Sequence, residues 1–102
     1  MITRIFRVKV PEALHQEFEI KFSSISVNAV MSQKGLITVS IGQPTKWTPD
    51  EYFMMTTWQD EQSLRDFAGD NWNRAVIPEG MEKFVSECWV HNYETLSIND
   101  KH

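Results

Sequence analysis

A segment in the middle of the chain, residues 51–59, constrains the fold most strongly because it is apolar on both faces of a predicted β-strand. Side chains alternate between the two faces of a strand. Here the apolar ones are Tyr52, Met54 and Trp58 on one face, and Phe53 and Met55 on the other. A strand of this kind needs a cover on both sides of its sheet. We therefore expect helices on one face and further protein on the other.

Three other segments predict β-strands. Residues 2–10 and 36–41 are rich in β-branched side chains, and residues 84–93 are rich in aromatic ones. A long loop, residues 42–50, follows the second strand and carries Trp47. The chain therefore offers four strands, which is enough for one small sheet.

Two helical regions separate these strands. The first begins after Pro11 and has one apolar stripe at helical spacing: Leu14, Phe18, Phe22 and Ile25. Nearby serines weaken this helix, and residues 27–31 predict a second short piece. Asp60 is a good N-cap for the next helix, which Gly69 ends, and a further helical piece is predicted over residues 72–77.

The resulting order, β-α-β-β-α-β, predicts an α+β fold of the ferredoxin-like type with a four-stranded antiparallel sheet. One domain spans residues 1–102, since 102 residues form a single modest core. Residues 95–102 are polar and are predicted to form a flexible or partner-contacting tail.

The composition excludes several functions. The net charge is −4 and no run of Lys or Arg is present, which argues against nucleic-acid binding. The single Cys88 excludes an internal disulfide and a cysteine-based zinc site. No apolar run approaches the ~20 residues that a membrane helix needs, and the N-terminus lacks a signal-peptide core. We therefore expect a cytoplasmic protein with no metal, no cofactor, and neither a nucleic-acid nor a membrane partner.

Two segments carry a resemblance to a known family: residues 57–64, TWQDEQSL, and residues 88–94, CWVHNYE. Together with the order of elements, they resemble the antibiotic biosynthesis monooxygenase family of dimeric α+β barrels over residues 1–94. The resemblance implies a homodimer in which two sheets pack face to face. The physical argument agrees, because a second copy is the simplest cover for the face that carries Phe53 and Met55.

The family that the chain resembles includes cofactor-free oxygenases of quinols and polyketides. Because the chain also has a set of aromatic pocket residues and no metal or nucleotide motif, we predict cofactor-independent monooxygenation of a small aromatic, quinol-like or polyketide-like molecule. Trp58 matches the Trp that ends the third strand in this family and is predicted to position the ring of the ligand. His91 is predicted to act as the base, because histidine is the side chain that commonly exchanges protons at neutral pH. The other residues predicted to contact this small apolar or aromatic ligand are Phe6, Met54, Thr56, Phe67 and Trp72. For both catalytic candidates a structural role stays open: core packing for Trp58 and the dimer interface for His91.

Arg4 and Arg7 lie on opposite faces of the first predicted strand. One of them would enter the cavity and pair with an anionic substrate. The alternative is that each reaches the surface or a sheet edge.

Two other functions stay open. The first is a non-catalytic dimeric module that binds a small ligand or serves a stress response. The second is haem binding or degradation. In the haem-degrading branch of the family a Trp and a His occupy positions that correspond to Phe67 and the neighbourhood of Ile77, and neither side chain can bind iron. In the cofactor-free branch a polar residue precedes the Trp, where this chain has Met54 and Thr56.

Overall fold

The structure is a computed structural model that describes residues 1–98. Its strands are β1 (Ile2–Lys9), β2 (Leu36–Gly42), β3 (Glu51–Trp58) and β4 (Glu87–Glu94). They form one antiparallel sheet in the order β2-β3-β1-β4. The predicted ferredoxin-like α+β fold is therefore confirmed. No helix within residues 1–98 is long and apolar enough to cross a membrane.

The first helical layer is a composite. A 3-10 turn, Glu12–Leu14, leads into α1 (His15–Lys21), a π-helical turn covers Phe22–Ser26, and α2 (Val27–Met31) completes the layer. Serine hydroxyls next to the π turn compete for helix carbonyls, because Ser24 Oγ donates to the Ile20 carbonyl at 2.8 Å. Back-bonding of this kind loosens the regular helical ladder.

The π turn changes which side chains face the core. Phe18 and Phe22 are buried as predicted, but Ile25 is 39% exposed and Ser26 is buried in its place. A π turn holds more residues than an α-helical turn, so later positions rotate relative to the 3.6-residue pattern. The predicted inward position of Ile25 is therefore wrong.

The helix that follows β3 forms as the sequence predicts. Asp60 Oδ1 accepts hydrogen bonds from the Ser63 backbone N–H at 2.8 Å and from the Ser63 hydroxyl at 2.7 Å. Helix α3 (Glu61–Ala68) then ends at Gly69, whose φ of 85° lies in the left-handed region that suits glycine.

The predicted helical piece over residues 72–77 is wrong. After Gly69 the chain runs through turns and irregular backbone to a 3-10 turn, Glu82–Phe84, and β4 begins only at Glu87. We call residues 70–86 the irregular segment. The Trp72 carbonyl, which a helix would bond to the Val76 N–H, accepts instead from the Arg4 side chain. The Arg74 carbonyl would have no helical donor, because Pro78 lacks an N–H, and it also accepts from Arg4. Tertiary bonds have therefore replaced the local helix in this segment.

The core lies between one face of the sheet and the helices. Its largest fully buried side chains are Trp58, Tyr52, Phe84, Leu64, Val8 and Val10. The opposite face, which we call the open face, carries Phe53 and Met55, both partly exposed. The sheet is therefore apolar on both sides, as predicted.

Of the predicted tail, Thr95 is bonded through its N–H to the Met1 carbonyl at 2.9 Å, and residues 99–102 lie outside the described part.

The stability of this fold depends on pH through two carboxyl groups, those of Glu51 and Asp60. A hydrogen bond from Arg7 lowers the pKa of Glu51, and the Ser63 backbone N–H lowers the pKa of Asp60. A group whose pKa is lower in the folded chain stabilises the fold above its unfolded-state pKa. That contribution is lost as the pH falls through the folded-state pKa.

We expect the melting temperature to decrease as the pH falls below the ordinary carboxyl values of 4.5 and 3.8. Thermal unfolding followed from about pH 6 to about pH 3 measures this effect. Asp60→Asn is the matched variant, because asparagine keeps a capping oxygen but does not titrate. Its melting temperature should decrease less over this range. A profile identical to that of the wild type would contradict a contribution from Asp60.

Candidate active site

A small apolar cavity lies between the sheet and the helical layer, with a volume of about 50 Å³. Its walls come from β1, β3, the π turn, α2, the end of α3 and the irregular segment that includes residues 76–78. Cavities that hold drug-sized ligands usually measure about 300–1,000 Å³, so this one has room for only a few waters. An aromatic ligand therefore fits only if one wall of the cavity moves. The irregular segment forms part of that wall and contains no helix or strand apart from one 3-10 turn.

Four of the five predicted ligand-contacting residues line this cavity. Phe6 and Met54 supply wall from neighbouring strands, Thr56 supplies a hydroxyl, and Phe67 closes the side toward α3. Trp72, the fifth, is half-buried against the core next to the cavity.

Trp58 stands behind the cavity wall. Its side chain is 0% exposed. The indole stacks on Phe67 with ring centroids 5.3 Å apart, and its N–H donates to Thr56 Oγ1 at 2.9 Å. Trp58 therefore holds in place two residues that line the cavity, Phe67 and Thr56. It can affect a bound ligand through these two residues.

His91 lies on the open face of the sheet. Its register partner on β1 is Ile5, which is also the partner of Met55. The His91 side chain is exposed, with its ring 6.5 Å from that of Tyr93. Within one chain, the two predicted catalytic residues are thus on opposite sides of the sheet. The face that carries His91 does not line the cavity.

Arg4 is the charged residue that the structure brings to the cavity. It is 4% exposed. One Nη donates to the Trp72 carbonyl at 2.6 Å and to Asn92 Oδ1 at 3.2 Å, and the other donates to the Arg74 carbonyl at 2.8 Å. Burial lowers the pKa of Arg4 to about 10, so the guanidinium stays charged at neutral pH. Arg7 points to the open face, where it pairs with Glu51 at 2.7 Å.

The comparison with known families decides the assignment. The family model described as antibiotic biosynthesis monooxygenase matches residues 1–72. The chain belongs to the antibiotic biosynthesis monooxygenase family. The match includes β1, β3 and α3 with their cavity-lining residues, whereas most of the irregular segment and all of β4 lie beyond it. No curated protein sequence matches the chain.

Several solved structures share the fold of this chain. The haem degrader MhuD from Mycobacterium tuberculosis, with two haems bound in its active site, is 18% identical, with a TM-score of 0.69 over 97% of this chain and 100% of that one. A conserved protein from Methanosarcina mazei is 20% identical, with a TM-score of 0.72 over 93% and 92%. An antibiotic biosynthesis monooxygenase is 9% identical, with a TM-score of 0.72 over 95% and 100%. At these identities the likeness shows the fold alone.

The cavity does not fit a haem iron. Among the residues described as lining it, the side chains able to bind iron are the thioethers of Met54 and Met81. A thioether usually binds haem iron opposite a histidine. The histidine of β4, His91, lies on the face of the sheet opposite the cavity. Phe67 and Ile77, which line the cavity, offer no donor atom. More generally, no group of three or more His, Cys, Asp or Glu within residues 1–98 is placed to hold a metal ion.

Proposed function

We propose that this family member is a cofactor-independent monooxygenase of a small aromatic, quinol-like or polyketide-like molecule. The observation that carries the proposal is the cavity, whose walls are almost entirely apolar and contain the aromatic rings of Phe6 and Phe67. Family membership supports the reaction class. Apolar walls with a few placed polar groups are typical of sites for small organic ligands.

The cavity supports binding and orientation of a planar ring. Phe6 and Met54 offer an apolar surface from the sheet, and Phe67 offers a ring held in place by Trp58. The Thr56 hydroxyl accepts from the Trp58 N–H, which leaves its own proton to donate to a substrate oxygen. In the proposed reaction the substrate anion gives an electron to dioxygen. One oxygen atom then enters the substrate, and the other leaves as water with two hydrogens that the substrate loses, so that no outside reductant is needed.

Ligand entry requires the irregular segment to move, because the cavity is smaller than an aromatic substrate. Arg4 and the Asn92 amide both donate to the Trp72 carbonyl, at 2.6 Å and 3.1 Å. These bonds hold the segment against the sheet. We propose that the segment opens to admit substrate and closes over it, which also excludes water from the reacting anion.

The test is oxygen uptake with a panel of quinols and phenols. We expect Phe67→Ala to lower kcat/KM by at least about tenfold through loss of ring placement. His91→Ala should stay within about twofold of the wild type, since its side chain lies across the sheet from the cavity. A large loss in His91→Ala would instead support the role of base predicted for His91 from the sequence, and would move the reaction to the open face. Uptake at the buffer rate with every compound would overturn the proposal.

A non-catalytic ligand-binding module is the second candidate. It is favoured by one observation: none of the residues described as lining the cavity is a His, Asp, Glu or Lys that could serve as a general base. Ligand binding without oxygen uptake would support it.

We further propose that the functional unit is a homodimer in which two sheets pack open face to open face. Phe53, Met55 and Tyr93 supply partly exposed apolar surface on that face. The Arg7 guanidinium lies 5.1 Å from the Trp89 ring centroid and is neutralised by Glu51. An apolar surface whose central arginine is already paired is suited to contact with a second copy.

A further inference from the structure

We infer that the cavity binds a ligand with one anionic oxygen group, a carboxylate or a phenolate, which the Arg4 guanidinium holds. The inference deepens the proposed function and rests on the same cavity. It concerns which ligands bind, and it can be tested without turnover.

The first observation is a buried cation without a counter-ion. All three groups that accept from Arg4 are neutral: the carbonyls of Trp72 and Arg74 and the amide oxygen of Asn92. No carboxylate within residues 1–98 forms an ion pair with Arg4. Burial of an unpaired charge is costly, and neutral acceptors offset only part of that cost. An anion beside Arg4 would therefore be bound strongly.

The second observation is that Arg4 still has donors to offer. Within residues 1–98 its three bonds leave two of the five guanidinium N–H groups, and Nε is not among the nitrogens that donate there. Every fully enclosed side-chain nitrogen and oxygen in the described residues has a partner. Nε is therefore not fully enclosed by these residues, and Arg4 is one of the side chains that line the cavity.

The rest of the cavity restricts the ligand further. Arg4 is the single cationic side chain among the residues described as lining it, which favours one negative charge over the several charges of a phosphate ester. Its other polar side chains are the hydroxyls of Ser26 and Thr56. The ligand class is thus an aromatic or compact aliphatic body with a single carboxylate or phenolate.

The competing explanation is that Arg4 only ties the irregular segment to the sheet. Loss of such a tie would weaken the binding of charged and neutral ligands equally. Loss of an anion partner would weaken the binding of the charged ligand alone. A pair of ligands that differ only in charge separates the two roles.

The experiment is calorimetric titration of the full chain with benzoate and benzamide, and with 1-naphthoate and 1-naphthamide. For at least one pair, we expect the acid to bind at least about tenfold more tightly than its amide, as for a charge-assisted hydrogen bond. Arg4→Met should bring this ratio close to one, and Arg4→Lys should restore part of it. Arg7→Met, on the same strand but facing the other side, should leave the ratio unchanged. Absorbance of bound 1-naphthol at neutral pH tests the phenolate: a naphtholate spectrum would identify it as a second accepted anion.

Three results would overturn the inference: equal affinity of acid and amide in the wild type, an equal loss of both in Arg4→Met, or no binding of either acid at millimolar concentration. Arg4→Lys keeps the test informative if the methionine variant fails to fold. A preserved acid preference without oxygen uptake would overturn the proposed turnover and leave the binding inference standing.

Discussion

Replacement of Trp58 by alanine should lower the free energy of unfolding by about 3–5 kcal/mol. The indole is 0% exposed, stacks on Phe67 and donates to Thr56. Alanine would leave a large void and remove the donor that Thr56 accepts from. For a domain of this size, the loss corresponds to a decrease in melting temperature of more than about 12 °C. Circular dichroism during thermal unfolding measures it.

Trp58→Phe is the matched control for this prediction. Phenylalanine keeps an aromatic ring against Phe67 but loses the N–H donor, so we expect a smaller cost of about 1–2 kcal/mol. A Trp58 that mainly stacked on ligand would show the reverse behaviour: little change in stability on substitution by alanine and a large loss of ligand affinity. That result would contradict the buried position of the ring.

Met55→Glu should dissociate the proposed homodimer. Met55 lies on the open face between Ile5 of β1 and Ser40 of β2, its register partners, and is 38% exposed. A glutamate here would place an unpaired charge in each copy against apolar surface, which costs several kcal/mol. We expect the dimer dissociation constant to rise by at least about 100-fold, or roughly 2.7 kcal/mol. Sedimentation equilibrium over a dilution series measures it.

Ile20→Glu provides the control for this substitution. Ile20 lies on α1 and is 69% exposed, so it adds the same charge to the helical side of the chain. This variant should keep the association of the wild type. A wild-type chain that is monomeric in dilute solution, or a Met55→Glu variant that associates as strongly as Ile20→Glu, would refute the sheet-to-sheet dimer.

The strands and α3 follow from local sequence because their signals are local. Alternation over β3 defines two apolar faces, and the Asp60 cap and Gly69 bound the helix that follows. The helical piece predicted over residues 72–77 failed for a non-local reason. Arg4, far away in the chain, binds the Trp72 carbonyl that such a helix would bond to the Val76 N–H. Helix propensity cannot register that competition.

The placement of the cavity residues was predictable in part. Phe6, Met54 and Thr56 follow from strand alternation once the face of Trp58 is known. Arg4 could not be assigned, because Ile5 and Phe6 are both apolar and β1 therefore shows no clear alternation. Its direction depends on the register with β3, which pairs Arg4 with Thr56.

The side of the sheet on which His91 lies also depends on the register between strands. The predicted role of His91 as the base requires its side of β4 to line the pocket. Instead, Val90 and Cys88 pair with Phe6 and Val8 on the helix side of the sheet, which turns His91 outward. Pairing between distant strands therefore determines the positions of Arg4 and His91, and a single sequence does not encode that pairing locally.

The π turn at Phe22–Ser26 has a consequence for how this protein is compared with its family. Such a turn accommodates about one residue more than an α-helical turn of similar length. A relative that crosses the same layer with an uninterrupted α-helix would need one residue fewer between the first two strands. A gap-free alignment of the two sequences would then place every position after Ser26 out of step by one, and would match strand residues that face opposite sides of the sheet.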